Sequence, residues 1–297
     1  SPIKYGLVTV NLTTLKPVEL KKEDIPKDKL KDYLMASATC FPAFKKKKIG
    51  DQDFVDGGYY DNLPIHLAIE LGATEVIAVD LKAIGVKKKV KEDIPITYIR
   101  PRTDIGSFLI FDKELSRRAI RLGYLDTLKT FHKLEGNIFT FRNGELDKNK
   151  RKYKDIMIRR MKEIFHLDTG GTMKELFMVS KYRAFFQDTK RVGNEMNEIL
   201  EYLGRAFELS DTRIYTLSSF QREIKKRMKY LEPFEISQLE EKWNNKNLKN
   251  IRYSKTILQY LVQKIEQQDN KNHTEFMMLA MLFPKDMLAA IYMTLLS

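Results

Sequence analysis

Two adjacent glycines constrain this chain more than any other feature. Gly57 and Gly58 follow Asp56 in the stretch Gln52-Asp53-Phe54-Val55-Asp56-Gly57-Gly58-Tyr59-Tyr60-Asp61-Asn62-Leu63-Pro64. Phe54 and Val55 read as the end of a short buried strand. Glycine adopts positive φ without steric cost, so the pair predicts a tight turn directly after that strand. Asp61, Asn62 and Pro64 then open an apolar helix over 65–71, and Gly72 ends it. Proline fits near a helix start, where its missing N–H costs nothing, and Asn62 suits a cap. A carboxylate is thus fixed between a strand end and a helix start. Two readings of Asp56 stand: a turn aspartate bonded to its own backbone, or a fixed base held against backbone amides.

The surrounding pattern alternates. Residues 5–13, 16–20, 52–55, 76–81 and 96–100 read as strands. A helix is predicted over 28–35, with Asp28 as N-cap and Leu30, Tyr33 and Leu34 facing inward. Strands alternating with helices predict an α/β class, with a largely parallel sheet covered on both faces. From 112 the pattern turns helical, over 112–134 and 150–165, with one more strand at 137–142. In the second of these helices Ile156, Ile158, Met161 and Ile164 mark the apolar positions. Gly170-Gly171 marks a boundary, dividing the chain into domains 1–169 and 172–297. The second reads as all-helical, with roughly five helices and no strand.

Further segments fall in a definite order around the glycine turn. Tyr5-Gly6-Leu7-Val8-Thr9-Val10-Asn11-Leu12-Thr13 comes first, then Ala36-Ser37-Ala38-Thr39-Cys40-Phe41-Pro42. After the turn come Val76-Ile77-Ala78-Val79 and Arg121-Leu122-Gly123-Tyr124. In this order, over residues 1 to about 130, they resemble the patatin-like phospholipases. The resemblance implies a three-layer α/β/α fold and a serine lipid acyl hydrolase that needs no cofactor. Its substrates are phospholipids or other lipid esters, and its machinery is a Ser–Asp dyad. Asp56 matches the proton acceptor, Asp56-Gly57-Gly58 the motif, and Asn62 and Pro64 the residues that shape the following helix start. The family's serine sits in G-x-S-x-G, and a glycine-rich segment supplies its oxyanion hole. None of the 14 glycines here is spaced as G-x-S-x-G, and no Gly-Gly-Gly run occurs. Ser37 lacks the setting of a nucleophile elbow. The resemblance therefore leads us to expect the C-terminal part of a catalytic domain, its sheet incomplete at the N-terminal side. The missing N-terminal part, or a companion chain, would carry the nucleophile. This chain would be inactive alone and would leave a strand edge open.

Charge bounds the partners. The chain of 297 residues carries a formal net charge of +13, which favours an anionic partner. Four consecutive lysines, Lys45, Lys46, Lys47 and Lys48, lie between the Ala-Ser segment and the turn, so an anionic membrane surface is one expected partner. Lysines near such a surface contribute about 1 kcal/mol each. The runs at 87–89, 148–154 and 225–227 read as solvated faces. No helix-turn-helix, zinc-finger or RNA-binding signature appears, so nucleic acid is not an expected partner.

One cysteine, Cys40, forms no internal disulfide and suits a reducing compartment; the location expected is cytoplasmic or membrane-peripheral. His66, His132, His166 and His273 fall at no metal-ligand spacing, so no metal is expected. The tail is apolar over 276–283 and 287–296, each piece short of the roughly 20 residues that a spanning helix needs. It reads either as two buried helices or as a hairpin facing lipid or a partner. The rival to a hydrolase is a non-enzymatic interaction protein built on the basic helical half and this tail.

Overall fold

The computed structural model describes residues 2–91, 93–107, 109–165, 182, 189–232, 235–238, 241, 255–267 and 273–296. The chain divides into two compact units, Ser1–Thr130 and Phe131–Ser297.

In the first unit, β1 (Gly6–Asn11), β2 (Lys16–Lys21), β3 (Lys47–Ile49) and β4 (Gln52–Asp56) form one sheet in the order β2-β1-β4-β3. Every pairing in it is antiparallel, with Leu7 opposite Leu20, Val10 opposite Val55 and Lys48 opposite Asp53. This corrects the expected largely parallel sheet, and the reason is local. Asn11 Oδ1 accepts the amides of Thr13 and Thr14, at 2.9 and 3.1 Å, and turns β1 back as β2. Gly50, at φ 61°, turns β3 into β4. Strands joined by tight turns pair antiparallel, whereas a parallel neighbour needs a crossover. A crossover does produce the parallel pair β5 (Val76–Val79) and β6 (Ile96–Ile99), which forms a separate two-stranded sheet. Ile77, Val79 and Leu81, on alternate positions of β5 and its continuation, are each more than half exposed.

Helix α1 (Leu30–Ser37) follows a 3-10 turn at Lys27–Lys29, so Asp28 lies outside the cap and Lys29 takes that position. Ala36 is the residue that α1 buries, against Ile49 and Phe54. Tyr33 meets Phe54 edge-on at 5.7 Å. Leu34 points outward, against expectation. Helix α2 (Ile65–Glu70) sets Ile65 against Val76 and Ala78 of β5. Helix α3 (Lys113–Thr130) completes the unit.

The second unit begins earlier than the glycine pair suggests, and Gly170 and Gly171 lie outside the described residues. Strand β7 (Leu134–Glu135) pairs antiparallel with β8 (Thr140–Arg142), and β8 pairs parallel with β9 (Ile214–Tyr215). The region after 172 is therefore not all-helical. Helix α4 (Glu145–Phe165) buries Tyr153, Met157, Met161 and Phe165, a four-residue repeat along one face. They join one core with residues from α5 (Thr189–Ala206), α6 (Leu217–Arg227), α7 (Lys255–Glu266), α8 (His273–Leu282) and α9 (Pro284–Thr294). Strand β8 and helix α4 thus belong with this core rather than with the first unit.

Pro284 opens α9 at the first helical position, and α8 and α9 meet at a bend of 120°. Phe283 and Met287 through Met293 are buried, so the tail packs as core helices rather than as an outward hairpin. No single helix among the described residues is long and apolar enough to cross a membrane.

Candidate active site

Asp56 closes β4 and caps a 3-10 turn at Gly57–Tyr59. It stands opposite Thr9 of β1, and its N–H donates to the Thr39 carbonyl at 2.9 Å. Its Oδ1 accepts the Gly58 N–H at 2.7 Å. No further bond to its carboxylate is made among the described residues, which leaves Oδ2 free.

Gly57 is needed for space rather than for positive φ. A Cβ there would stand 2.3 Å from the Val8 carbonyl oxygen and 2.7 Å from its carbon, while the backbone of neither Gly57 nor Gly58 has positive φ. Ser37 Oγ donates to that same Val8 oxygen at 2.7 Å, so the Ala-Ser segment and the glycine turn converge on one carbonyl of β1. Thr9 Oγ1, fully buried, donates to the Val55 carbonyl at 2.6 Å and holds β1 to β4 beside the turn. Past the turn, the Gly57 carbonyl accepts the N–H groups of Tyr60 and Asp61, at 2.9 and 2.8 Å.

Asn62 does not cap α2. Its N–H donates to the Val86 carbonyl at 2.7 Å, and its Nδ2 reaches the Ala83 carbonyl at 3.4 Å. The Val86 N–H returns to the Gly58 carbonyl at 2.9 Å. The segment after the glycine turn is thereby laced to the loop after β5. Pro64 sits at the cap of α2 with no side-chain bond, and Asp61 Oδ1 accepts the Leu63 N–H at 3.2 Å in its place.

These segments border a cleft of about 1340 Å³ inside the first unit. Asp56, Gly58, Tyr59 and Asn62 line it, together with Cys40, residues 81–86 and residues 101–107. The two loops carry no sequence motif, which is why they were missed as part of the site. Asp80 anchors both their roots. It accepts Lys87 Nζ at 2.6 Å and Arg100 Nε at 3.1 Å. The Lys87 bond, followed by the Lys82 backbone and Arg100 bonds, outweighs burial and holds its carboxyl down at about 2.

His66, which carries no motif in the sequence, stands between two carboxylates. Its Nε2 is 2.8 Å from Glu19 Oε1 on β2. Its Nδ1 lies 2.9 Å from the fully buried Asp61 Oδ2, without the alignment of a hydrogen bond. Lys88 also reaches Glu19, at 3.1 Å, and lies over the Tyr60 ring. Burial works against the Glu19 charge, but bonds from His66 and Lys88 overcome it and hold the carboxyl below its ordinary range. The cluster ties β2 to the start of α2 across 47 positions of sequence, beyond reach of any local signal. No group of three His, Cys, Asp or Glu side chains among the described residues converges as a metal site.

Chemically, the arrangement offers one carboxylate with a pinned oxygen and a free one, at the wall of a largely open cleft. No curated protein and no solved structure matches the chain. A family model does match, and its match starts at residue 2, which conflicts with the expectation that the family's N-terminal part is missing. It is to the patatin-like phospholipase family, over residues 2–69, the stretch from β1 into α2 that holds Asp56, Gly57, Gly58, Asn62 and Pro64.

Proposed function

We propose that the protein is a lipid acyl hydrolase in which Asp56 is the proton acceptor. The observation that supports this reading most is the asymmetry of the Asp56 carboxylate. Oδ1 is fixed by the Gly58 amide, while Oδ2 is left unbonded in a residue that lines the cleft. A fixed orientation with one available oxygen is what direct proton transfer from a hydroxyl needs.

In this mechanism a serine hydroxyl attacks the ester carbonyl carbon as Asp56 takes its proton. The tetrahedral intermediate collapses, the C–O bond to the alcohol breaks, and Asp56 returns the proton to the leaving oxygen. Water then attacks the acyl-serine, again giving a proton to Asp56. Collapse of the second intermediate releases the fatty acid and passes that proton back to serine. The 297 residues contain no G-x-S-x-G, so we assign the proton acceptor to Asp56 and name no serine of this sequence as the nucleophile.

Asp56→Asn tests the assignment. The amide oxygen still accepts the Gly58 N–H, so the turn is kept while the base is lost. Turnover of a fluorogenic phospholipid, measured on protein isolated with any companion chain retained, should fall on the order of 10²–10⁴-fold. Near-parental turnover would remove Asp56 from the chemistry. The rival interaction-protein reading loses much of its support, because the apolar tail it relied on is buried in the second unit's core.

A further inference from the structure

The rim of the cleft combines exposed rings with unpaired cations. Residues 38–46 join α1 to β3. The Cys40 carbonyl accepts the Phe44 N–H at 2.9 Å, which closes this loop into a turn. The Tyr59 hydroxyl donates to the Phe41 carbonyl and ties that turn to the glycine turn. Cys40 and Tyr59 both line the cleft, so the loop stands at its mouth. Phe41 and Phe44 are 43 % and 42 % exposed, and Met35, in the last turn of α1, is 55 % exposed.

The four lysines follow directly, and the structure separates them. Lys46 lies 2.6 Å from Asp53, and Lys47 lies 2.7 Å from Asp32. Lys45 and Lys48 are exposed and make no ion pair among the described residues. Lysines on an edge strand also discourage strand addition. On β3 that role falls to Lys47 and Lys48, and it leaves Lys45 and the two rings unexplained.

We propose that this loop docks the mouth of the cleft on an anionic lipid bilayer. Phe41 and Phe44 enter the headgroup region, and Lys45 and Lys48 pair with acidic headgroups. Aromatic rings settle at the level of the headgroups, and lysines beside them gain from a negative surface potential. A nucleic acid backbone would satisfy the lysines but offers no apolar phase to the rings. The adsorption needs no turnover. It rests on the proposed function only for the idea that the same bilayer holds the ester.

Co-sedimentation with phosphatidylcholine vesicles, with and without a minority of phosphatidylserine, tests the docking. The parent chain should partition preferentially to phosphatidylserine vesicles and lose most of that preference at high ionic strength. Each lysine near the surface is worth roughly five-fold, so Lys45→Gln/Lys48→Gln should lose roughly 25-fold on anionic vesicles and little on neutral ones. Lys45→Arg/Lys48→Arg should bind as the parent does. Phe44→Ser should weaken binding at low and high salt alike. All these side chains are exposed, and an unchanged thermal melt establishes that each variant is folded. Equal binding of the parent to neutral and anionic vesicles would overturn the proposal. So would a parental affinity for Lys45→Gln/Lys48→Gln, or an equal loss in the exposed second-unit pair Lys225→Gln/Lys226→Gln. Asp56→Asn should adsorb as the parent does, so failure of docking and failure of the hydrolase reading give different results.

Discussion

Asp56 can be held still because Gly57 has no side chain. The turn presses against the Val8 carbonyl, and that oxygen already accepts Ser37 Oγ. Backbone in the middle of a sheet cannot retreat as a flexible side-chain tip can. Gly57→Ala should therefore destabilise the first unit by about 1–3 kcal/mol, the usual cost of overpacking. Gly58→Ala should cost less, because the nearest atoms to its Cβ belong to side chains, the Asp56 and Asn62 oxygens at 3.0 and 3.1 Å. Denaturant midpoints check the ranking, and a parental midpoint for Gly57→Ala would contradict the crowding argument. The same pair shows what sequence can and cannot convey about a residue. That glycines were required after Asp56 was plain from the order of residues. The reason was not, since it lies in the approach of a strand some fifty positions away.

At the scale of elements, Asp80 fastens the ends of β5 and β6. Its folded pKa of about 2 lies below the usual ~3.9 of a free aspartate. Its stabilisation is therefore present above the unfolded value and is lost as pH falls toward 2. Lys87 and Arg100 are more than a third exposed, so solvent screening limits the effect to about 1–2 kcal/mol. Asp80→Asn should lower the melting temperature at neutral pH, and the gap to the parent should close near pH 2. A gap that persists there would mean packing, not charge, is responsible.

Element positions were largely legible in the sequence, whereas pairing was not. Strands β1, β5 and β6 fall within the segments read as strands, and β2 and β4 outrun theirs by one residue, because their apolar alternation is local. Strand β3 was hidden by its lysines, which look like a solvated loop until Ile49 is seen to be buried. Strand β9 is two residues long, too short for a period to show. In α4, Ile156 was taken as inward and is exposed. The buried stripe runs through Tyr153, Met157, Met161 and Phe165, and beta-branched residues drew the eye away from it. Parallel or antiparallel pairing depends on which strands meet. The two tight turns, at Asn11 and at Gly50, hold that information, and neither leaves a periodic signal.

For the molecule as a whole, the two units carry buried carboxylates with opposite pH responses. Asp286, in the first turn of α9, is pushed up by burial, and a hydrogen bond from Tyr202 offsets only part of this. A raised folded pKa gives stability that is complete below the unfolded value and is lost as pH rises through the folded one. Acid therefore favours the second unit through Asp286 and disfavours the first through Asp80 and Glu19, both of which are held low. Acid titration should open β5 and β6 before α7 and α9. Hydrogen exchange resolved by segment, corrected for intrinsic rates, would show it, and Asp286→Asn should narrow the interval. Simultaneous loss of protection would contradict the assignment.

The lacing between the turn and the loop after β5 has a practical side. Its two shortest rungs, Asn62 N–H to Val86 and Val86 N–H to Gly58, use main-chain atoms only. Side chains at positions 84 and 86 can thus be exchanged without disturbing Asp56, and Ile84 is wholly exposed. Under the proposed function, this stretch is a ready place to alter which esters the cleft admits, by selection or by design, while the Asp56 carboxylate stays where it is.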